Sequence, residues 1–148
     1  MKRFAFKLEK ILALRLNRER ETEIELGRAV GALSALENRI RKVAEEKFRA
    51  AGSRFDKAHG AGDIRSYDNY ILRLDKTRDA LLEAAAKAEL EVEKARGIYL
   101  EASRDRKIID KLKERREREY RAFMQREEIK VIDDIAGGSA ARKRIAGG

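Results

Sequence analysis

The sequence predicts an all-α protein, an antiparallel two-helix coiled coil (a long α-hairpin) in which the C-terminal helix is longer. Three observations favour this fold class. The 148-residue chain is 43% charged, and it is dominated by Ala, Glu, Lys, Leu and Arg, as long helices are. It contains no proline, which destabilises the interior of a helix. Apolar residues recur at heptad spacing on both sides of a single glycine-containing break.

The first helix is expected over about residues 4–50. Its C-terminal half shows the heptad repeat most clearly, at Leu26, Ala29, Leu33, Leu36, Ile40 and Val43. An earlier apolar stripe is formed by Leu8, Ile11, Leu12 and Leu16. The stretch between the two, Asn17 to Glu23, is polar. We therefore expect weak packing, or contact with a partner, in that stretch.

The break is predicted over about residues 52–64, which contain Gly52, Gly60 and Gly62. Asp63 or Ser66 offers a side-chain oxygen that can cap the next helix. Neither a G-x-x-x-x-G-K-[ST] nor a G-x-G-x-x-G motif is present, and no strand pattern precedes the glycines, so a phosphate-binding loop is not expected. We interpret the break as the bend of a hairpin, with a linker between two domains as the alternative.

The second helix is expected over about residues 65–135, and two heptad series define its predicted seam. The first series is Tyr67, Leu74, Leu81, Ala88, Ala95, Ala102, Ile109, Arg116 and Phe123. The second series is Ile71, Arg78, Ala85, Val92, Tyr99, Arg106, Lys113 and Tyr120. The charged members are all Lys or Arg, whose aliphatic stems can pack while their charged ends reach water. The alanines in the middle of both series predict a close approach of the two helices.

Antiparallel pairing places position i opposite about position 117 − i. Most of the excess positive charge lies in residues 1–20 and 104–121, and this register brings the two basic windows together. Residues beyond about 115 are left without an intramolecular partner. We predict a partner-binding overhang there, formed by Tyr120, Phe123, Met124, Ile129 and Ile132. The alternatives are that Phe4 and Phe6 fold along this surface, or that the helix frays after Asp133.

The predicted organisation is a single hairpin over residues 1–136, followed by a flexible Gly-rich tail over residues 137–148. An enzyme is not expected, because the carboxylates lie on exposed helix faces with no pocket to raise a pKa. A metal site is not expected either, since His59 is the only histidine and lies in the bend. We expect no cofactor and no small-molecule substrate.

Membrane insertion is not expected, because the chain has no run of 18 apolar residues and its N-terminal apolar stretch is interrupted by Lys7, Glu9 and Lys10. The net charge of +9 leaves a basic nucleic-acid-binding coiled coil as one alternative function. The glutamates within the basic windows and the lack of stacking aromatics argue against it. A generic coiled-coil scaffold or homodimer is the other alternative.

Three segments of the sequence carry motifs that bear on its family. The first is the F-x-F-x-L-E-K opening, at Phe4, Phe6, Leu8, Glu9 and Lys10. The second is the Y-x-x-Y-I-x-x-L block, at Tyr67, Tyr70, Ile71 and Leu74. The third is the E-x-K-x-x-D-D-I-A segment, at Glu128, Lys130, Asp133, Asp134, Ile135 and Ala136. In this order and spacing, the three segments resemble the FliJ family of flagellar export proteins. The resemblance extends over nearly the whole chain apart from the Gly-rich tail.

This resemblance implies a soluble, cytoplasmic component of the flagellar type III protein export apparatus, needed for flagellum biogenesis and motility. Such a protein acts as a stalk in the hexameric export ATPase. It also contacts the cytoplasmic linker of the export-gate membrane protein and handles export chaperones. The expected location is peripheral, at the inner face of the cell membrane at the flagellar base, with membrane contact only through partners.

The resemblance places the export-gate patch early in the second helix, at Tyr70, Leu74, Thr77 and Leu81. Two of these, Leu74 and Leu81, also belong to the predicted seam, so Tyr70 is the better surface candidate. A cationic tip suits an annular partner whose pore presents acidic or carbonyl groups. The predicted ATPase-pore-binding residues are Lys7, Lys10, Arg15, Arg18, Arg20, Lys111, Lys113, Arg115 and Arg118. For any single one of them, the competing interpretation is a solvated charge paired within its own helix.

Overall fold

The structure is a computed structural model that describes residues 2–53 and 60–147. It contains two helices, α1 (Glu9–Ser53) and α2 (Ala61–Ala146), and the described residues form no strand. The helices pack against each other, which confirms the predicted all-α hairpin with a longer C-terminal helix. Ion pairs between α1 and α2 show that the helices run antiparallel: Lys47 pairs with Asp75, and Glu9 pairs with Lys113.

The start of α2 differs from the sequence-based expectation. The backbone N–H groups of Asp63 and Ile64 donate to the carbonyl oxygen of Gly60 at 3.0 and 3.3 Å, so Gly60 caps the helix and Asp63 lies within its first turn. No described glycine has a positive φ. Residues 54–59 of the predicted bend, including His59, lie outside the described residues.

The end of α2 also differs from the expectation. The helix continues through Gly137 and Gly138 to Ala146, whereas the sequence predicted an end near residue 135 and a flexible tail. A helical glycine costs only about 1 kcal/mol relative to alanine, and the following segment, SAARKRIA, is rich in good helix formers. The division into a hairpin and a tail stays a prediction.

The seam of α1 follows one heptad pattern along the entire helix. The buried and half-buried positions in heptad register are Leu12, Arg15, Glu19, Thr22, Leu26, Ala29, Leu33, Leu36, Ile40, Val43, Lys47 and Ala50. Leu8 continues the pattern just before the helix, and the half-buried Ser53 at its last position departs from it. The expectation of weak packing in the polar stretch is wrong at Thr22, which is buried. Its hydroxyl donates within α1, to the carbonyl oxygens of Arg18 at 3.0 Å and Glu19 at 2.8 Å. A threonine satisfied by its own helix can occupy an apolar seam.

The seam of α2 follows the two predicted series closely. Every member is buried or half-buried except Arg116 and Phe123, which are exposed. Beyond Lys113 the segment that packs on α2 is the non-helical stretch before Glu9, which offers no matching heptad face. No large side chain among the described residues is fully enclosed, so the protein has a seam between two helices in place of a thick core.

The chain divides into two compact units. The end unit comprises Met1–Leu16 and Arg104–Gly148, and the middle unit comprises Asn17–Ser103. Each unit therefore contains one piece of α1 and one piece of α2. The predicted sites fall into separate units: the overhang lies in the end unit, whereas the export-gate patch lies in the middle unit.

Candidate functional site

In the end unit the two basic windows lie beside each other. Lys113 Nζ is 2.9 Å from the Glu9 carboxylate, and Arg15 Nη1 donates to the Asp105 carbonyl oxygen at 3.0 Å. These contacts lie within a few residues of the predicted antiparallel register. Arg15 and Lys113 were both predicted to bind an ATPase pore, but the structure shows them half-buried and bonded across the seam. Both residues therefore join the helices as well as adding charge.

The other predicted pore-binding residues are exposed. Arg115 forms an ion pair with Glu119 at 3.1 Å, as expected for a solvated helix face. The structure shows no ion pair, among the residues it describes, for the remaining members of the end unit: Lys7, Lys10, Lys111 and Arg118. The last two predicted residues, Arg18 and Arg20, belong to the middle unit and are also exposed.

The predicted overhang is partly covered by the N-terminal segment. The ring of Tyr120 contacts the ring of Phe4, with centroids 5.6 Å apart and planes at 45°. Its hydroxyl also donates to the Lys2 carbonyl oxygen. The expectation that this part of α2 has no intramolecular partner is therefore wrong at Tyr120, and the contact is the alternative in which Phe4 folds along the helix.

The rest of the overhang is less covered. Met124 is half-buried, whereas Phe123, Ile129 and Ile132 are exposed. Val131 and Ile135 are also exposed in this part of α2. At 3.6 residues per turn the exposed apolar residues are distributed around the helix, so this stretch of α2 offers apolar side chains to a partner on more than one side.

In the middle unit, the predicted export-gate patch contains both exposed and buried residues. The Tyr70 hydroxyl lies 3.4 Å from Glu46 Oε2. Thr77 is exposed, and its hydroxyl donates to the Arg73 carbonyl oxygen at 2.9 Å. In contrast, Leu74 and Leu81 are buried in the seam. A partner can reach Tyr70 and Thr77 on the closed hairpin, but Leu74 and Leu81 become accessible only if the helices separate.

Sequence reasoning missed the exposed leucines beside this patch, Leu72 and Leu82. Each lies next to a heptad position but outside both seam series. That offset is the signal that could have identified them, because an apolar residue outside the seam of a two-helix hairpin remains exposed.

Beside the patch, Asp75 and Lys47 link the two helices. The Lys47 ammonium donates to the Asp75 carboxylate at 2.6 Å, and Arg78 lies 3.4 Å from the same oxygen. The hydrogen bond from Lys47 is the largest influence on the pKa of Asp75, which is lowered from its ordinary value of 3.8. Partial desolvation opposes this shift, and the positive charges of Lys47 and Arg78 add to it.

This pair predicts a loss of stability in acid. Because the pKa of Asp75 is lower in the folded protein, its contribution to stability is present above pH 3.8 and disappears as the pH falls through the folded pKa. We expect Asp75→Asn to lower the free energy of unfolding at neutral pH, with a smaller difference from wild type at about pH 3. Urea unfolding followed by circular dichroism at both pH values measures this.

The matched control is Asp79→Asn, since Asp79 is exposed and its ion pair with Arg78 lies within α2. We expect this control to show little change at either pH, because an exposed pair within one helix contributes little. An equal loss of stability for Asp75→Asn at both pH values contradicts the prediction.

None of the described helices combines the length and the apolar character needed to cross a membrane. Residues 2–53 and 60–147 also contain no group of His, Cys, Asp or Glu side chains able to hold a metal ion.

Comparison with known proteins identifies the family. The sequence model described as "Flagellar FliJ protein" matches residues 4–144. Neither the curated proteins nor the solved structures gave a match. The family is a non-catalytic component associated with flagellar export. Because the matched region covers nearly the whole chain and parts of both units, this protein belongs to the FliJ family of flagellar proteins.

Proposed function

We propose that this FliJ-family protein acts as a stalk in the hexameric export ATPase and links that ATPase to the export gate and to export chaperones. The main supporting observation is the set of exposed lysines in the end unit, Lys7 just before α1, Lys10 in α1 and Lys111 in α2. The contact between Glu9 and Lys113 holds these two pieces of chain side by side.

The proposed partner of this surface is an annular pore that presents acidic side chains or backbone carbonyl groups. Exposed cations attract such a pore over a distance and increase the rate of encounter more than the final affinity. The structure supports Lys7, Lys10, Lys111 and Arg118 as the contacting residues, since they are exposed and unpaired among the described residues. The same contact is proposed for Arg18, Arg20 and Arg115. Arg15 and Lys113 are bonded between the helices, and we propose that they add positive charge next to the contacting residues.

The other two partners are assigned to surfaces in different units. We place the cytoplasmic linker of the export gate at Tyr70 and Thr77, the exposed part of the predicted patch. Export chaperones are assigned to the exposed overhang, at Phe123, Ile129 and Ile132 with the half-buried Met124. These partners imply a cytoplasmic protein, peripheral at the inner face of the membrane at the flagellar base.

The stalk proposal is tested by ATP hydrolysis. The purified export ATPase from the same cell is assayed with and without the full chain, at low and moderate salt. We expect stimulation that survives moderate salt, and a triple variant, Lys7→Glu, Lys10→Glu and Lys111→Glu, that stimulates only at about 100-fold higher concentration, because reversed charges repel an acidic pore.

A matched variant, Arg39→Glu, Arg41→Glu and Lys42→Glu, changes the net charge equally on exposed positions of the middle unit. We expect it to stimulate like wild type. An equal loss for both variants shows that total charge alone matters and contradicts a pore site. Tight binding to duplex DNA with no effect on ATP hydrolysis favours the nucleic-acid alternative instead.

A further inference from the structure

One side of α2 in the end unit carries cations without carboxylates. At 3.6 residues per turn, ten residues between positions 104 and 129 fall within an arc of about 100°. They are Arg104, Lys107, Ile108, Lys111, Arg115, Arg118, Ala122, Gln125, Arg126 and Ile129. All are exposed except Ala122, which is half-buried. We name this set the cationic face.

The cationic face lies opposite the seam. Most positions on the other side of the same stretch are buried or half-buried, among them Arg106, Ile109, Lys113 and Tyr120. Tyr120 contacts Phe4 on that side, so the N-terminal segment does not cover the cationic face. The face is therefore open along its length.

The carboxylates of this stretch lie outside the arc. Three of them are bonded to cations elsewhere in the end unit: Asp105 with Arg15, Asp110 with Arg106, and Glu117 with Arg121. Two glutamates border the arc, Glu114 and Glu119, and Glu119 pairs with Arg115. The glutamates that mix with cations in the sequence are thus separated from the cationic face by the geometry of the helix.

Two isoleucines belong to the cationic face, Ile108 near its N-terminal end and Ile129 at its C-terminal end. Ile108 is 61% exposed and Ile129 is 58% exposed. Exposed isoleucines add little to a contact with a polyphosphate backbone, whereas at a bilayer surface apolar side chains enter the boundary between headgroups and acyl chains while Lys and Arg contact lipid phosphates. Ile129 also belongs to the overhang assigned to export chaperones, so Ile108 is the isoleucine specific to the cationic face.

We propose that the cationic face binds the anionic phospholipid surface of a membrane directly, with this part of α2 lying in the plane of the surface. The straight, one-sided row of cations suits a flat negative surface. Clusters of four to eight Lys or Arg residues are the usual size of such sites. This inference goes beyond the proposed function, in which the membrane is reached only through protein partners.

Co-sedimentation of the full chain with vesicles tests the proposal. The vesicles contain phosphatidylcholine alone, or phosphatidylcholine with about 30% phosphatidylglycerol, at low and moderate NaCl. We expect binding only to the anionic vesicles and weaker binding in NaCl. The variant Arg104→Gln, Lys107→Gln and Arg126→Gln lowers the partition coefficient by about 100-fold, because each lost cation weakens the interaction by several-fold. Replacing Ile108 and Ile129 with serine lowers it by about tenfold.

The control is Arg39→Gln, Arg41→Gln and Lys42→Gln, which removes the same charge from positions distributed around α1 in the middle unit. We expect it to bind like wild type, and circular dichroism checks that every variant remains helical. No binding to anionic vesicles at low salt, or an equal loss in the control, overturns the proposal. If the Arg104, Lys107 and Arg126 variant loses binding to duplex DNA but binds vesicles like wild type, the proposal is overturned and the cationic face is assigned to nucleic acid.

None of the three substituted cations belongs to the predicted pore-binding set. Failure of the lipid proposal therefore leaves ATPase stimulation unaffected, and failure of the stalk proposal leaves vesicle binding unaffected. The two experiments give separate answers even though Lys111, Arg115 and Arg118 belong to both surfaces.

Discussion

Replacing Leu81 with alanine is expected to lower the free energy of unfolding by about 2–3 kcal/mol. Leu81 is 8% exposed and lies in the seam between the helices of the middle unit. The truncation removes apolar contacts and leaves a gap that two rigid helices fill only in part. Urea or thermal unfolding followed by circular dichroism measures the effect. The expected value is near the lower end for such substitutions, since a two-helix seam encloses a side chain incompletely.

The neighbouring residue supplies the control. Leu82 is 49% exposed, and Leu82→Ala is expected to change the free energy of unfolding by less than about 0.5 kcal/mol. If both variants lower the free energy of unfolding by a similar amount, the assignment of Leu81 to the seam is contradicted. The two variants also separate a structural role from a binding role for Leu81. If Leu81 contacts the export gate, Leu81→Ala weakens gate binding even under conditions in which the variant is fully folded.

Replacing both Phe123 and Ile132 with serine is expected to weaken binding to export chaperones by about 100-fold. Phe123 is 56% exposed and Ile132 is 63% exposed, so neither supports the fold by burial. Nine residues of helix separate the two, which places them on opposite sides of α2, so the full effect requires a chaperone that contacts the helix from both sides. Titration of the purified chaperone against the full chain, by calorimetry, measures the affinity. This prediction depends on the proposed assignment of the overhang.

A matched double variant, Ile24→Ser and Leu90→Ser, removes two exposed apolar residues from the middle unit. It is expected to bind chaperones like wild type, while both double variants retain the wild-type unfolding free energy within about 0.5 kcal/mol. Undiminished chaperone binding by the Phe123 and Ile132 variant removes the overhang from the proposal.

The sequence predicted the fold because one periodicity dominates it. Heptad spacing identifies the seam residues of α2 from Tyr67 to Lys113, and composition alone indicates long helices. The exceptions have local causes. Thr22 packs in the seam because its hydroxyl is satisfied within α1. Arg116 and Phe123 are exposed because the N-terminal segment is not helical where it reaches α2. The pattern of polar and apolar residues shows neither the hydrogen bonds of the Thr22 hydroxyl nor the non-helical conformation of the N-terminal segment.

The candidate sites were less predictable than the fold. The distribution of Lys and Arg along the sequence located the basic windows, but it did not separate Lys113 from Lys111. Lys113 is bonded to Glu9, whereas Lys111 is exposed and unpaired in the described part of the chain. Tyr120 appeared unpartnered because helix register alone gave no position for Phe4. The cationic face was concealed by the glutamates interspersed with it in sequence, and only the angular position of each residue around α2 separates the two sets.

The absence of any large, fully enclosed side chain in the described residues affects how stability responds to temperature. Unfolding exposes less newly wetted apolar area per residue than it does in a globular domain, so the heat-capacity increment falls below the common value of about 12–15 cal/mol/K per residue. The free energy of unfolding consequently changes gently with temperature, and the protein approaches melting along a shallow curve with little tendency to denature in the cold.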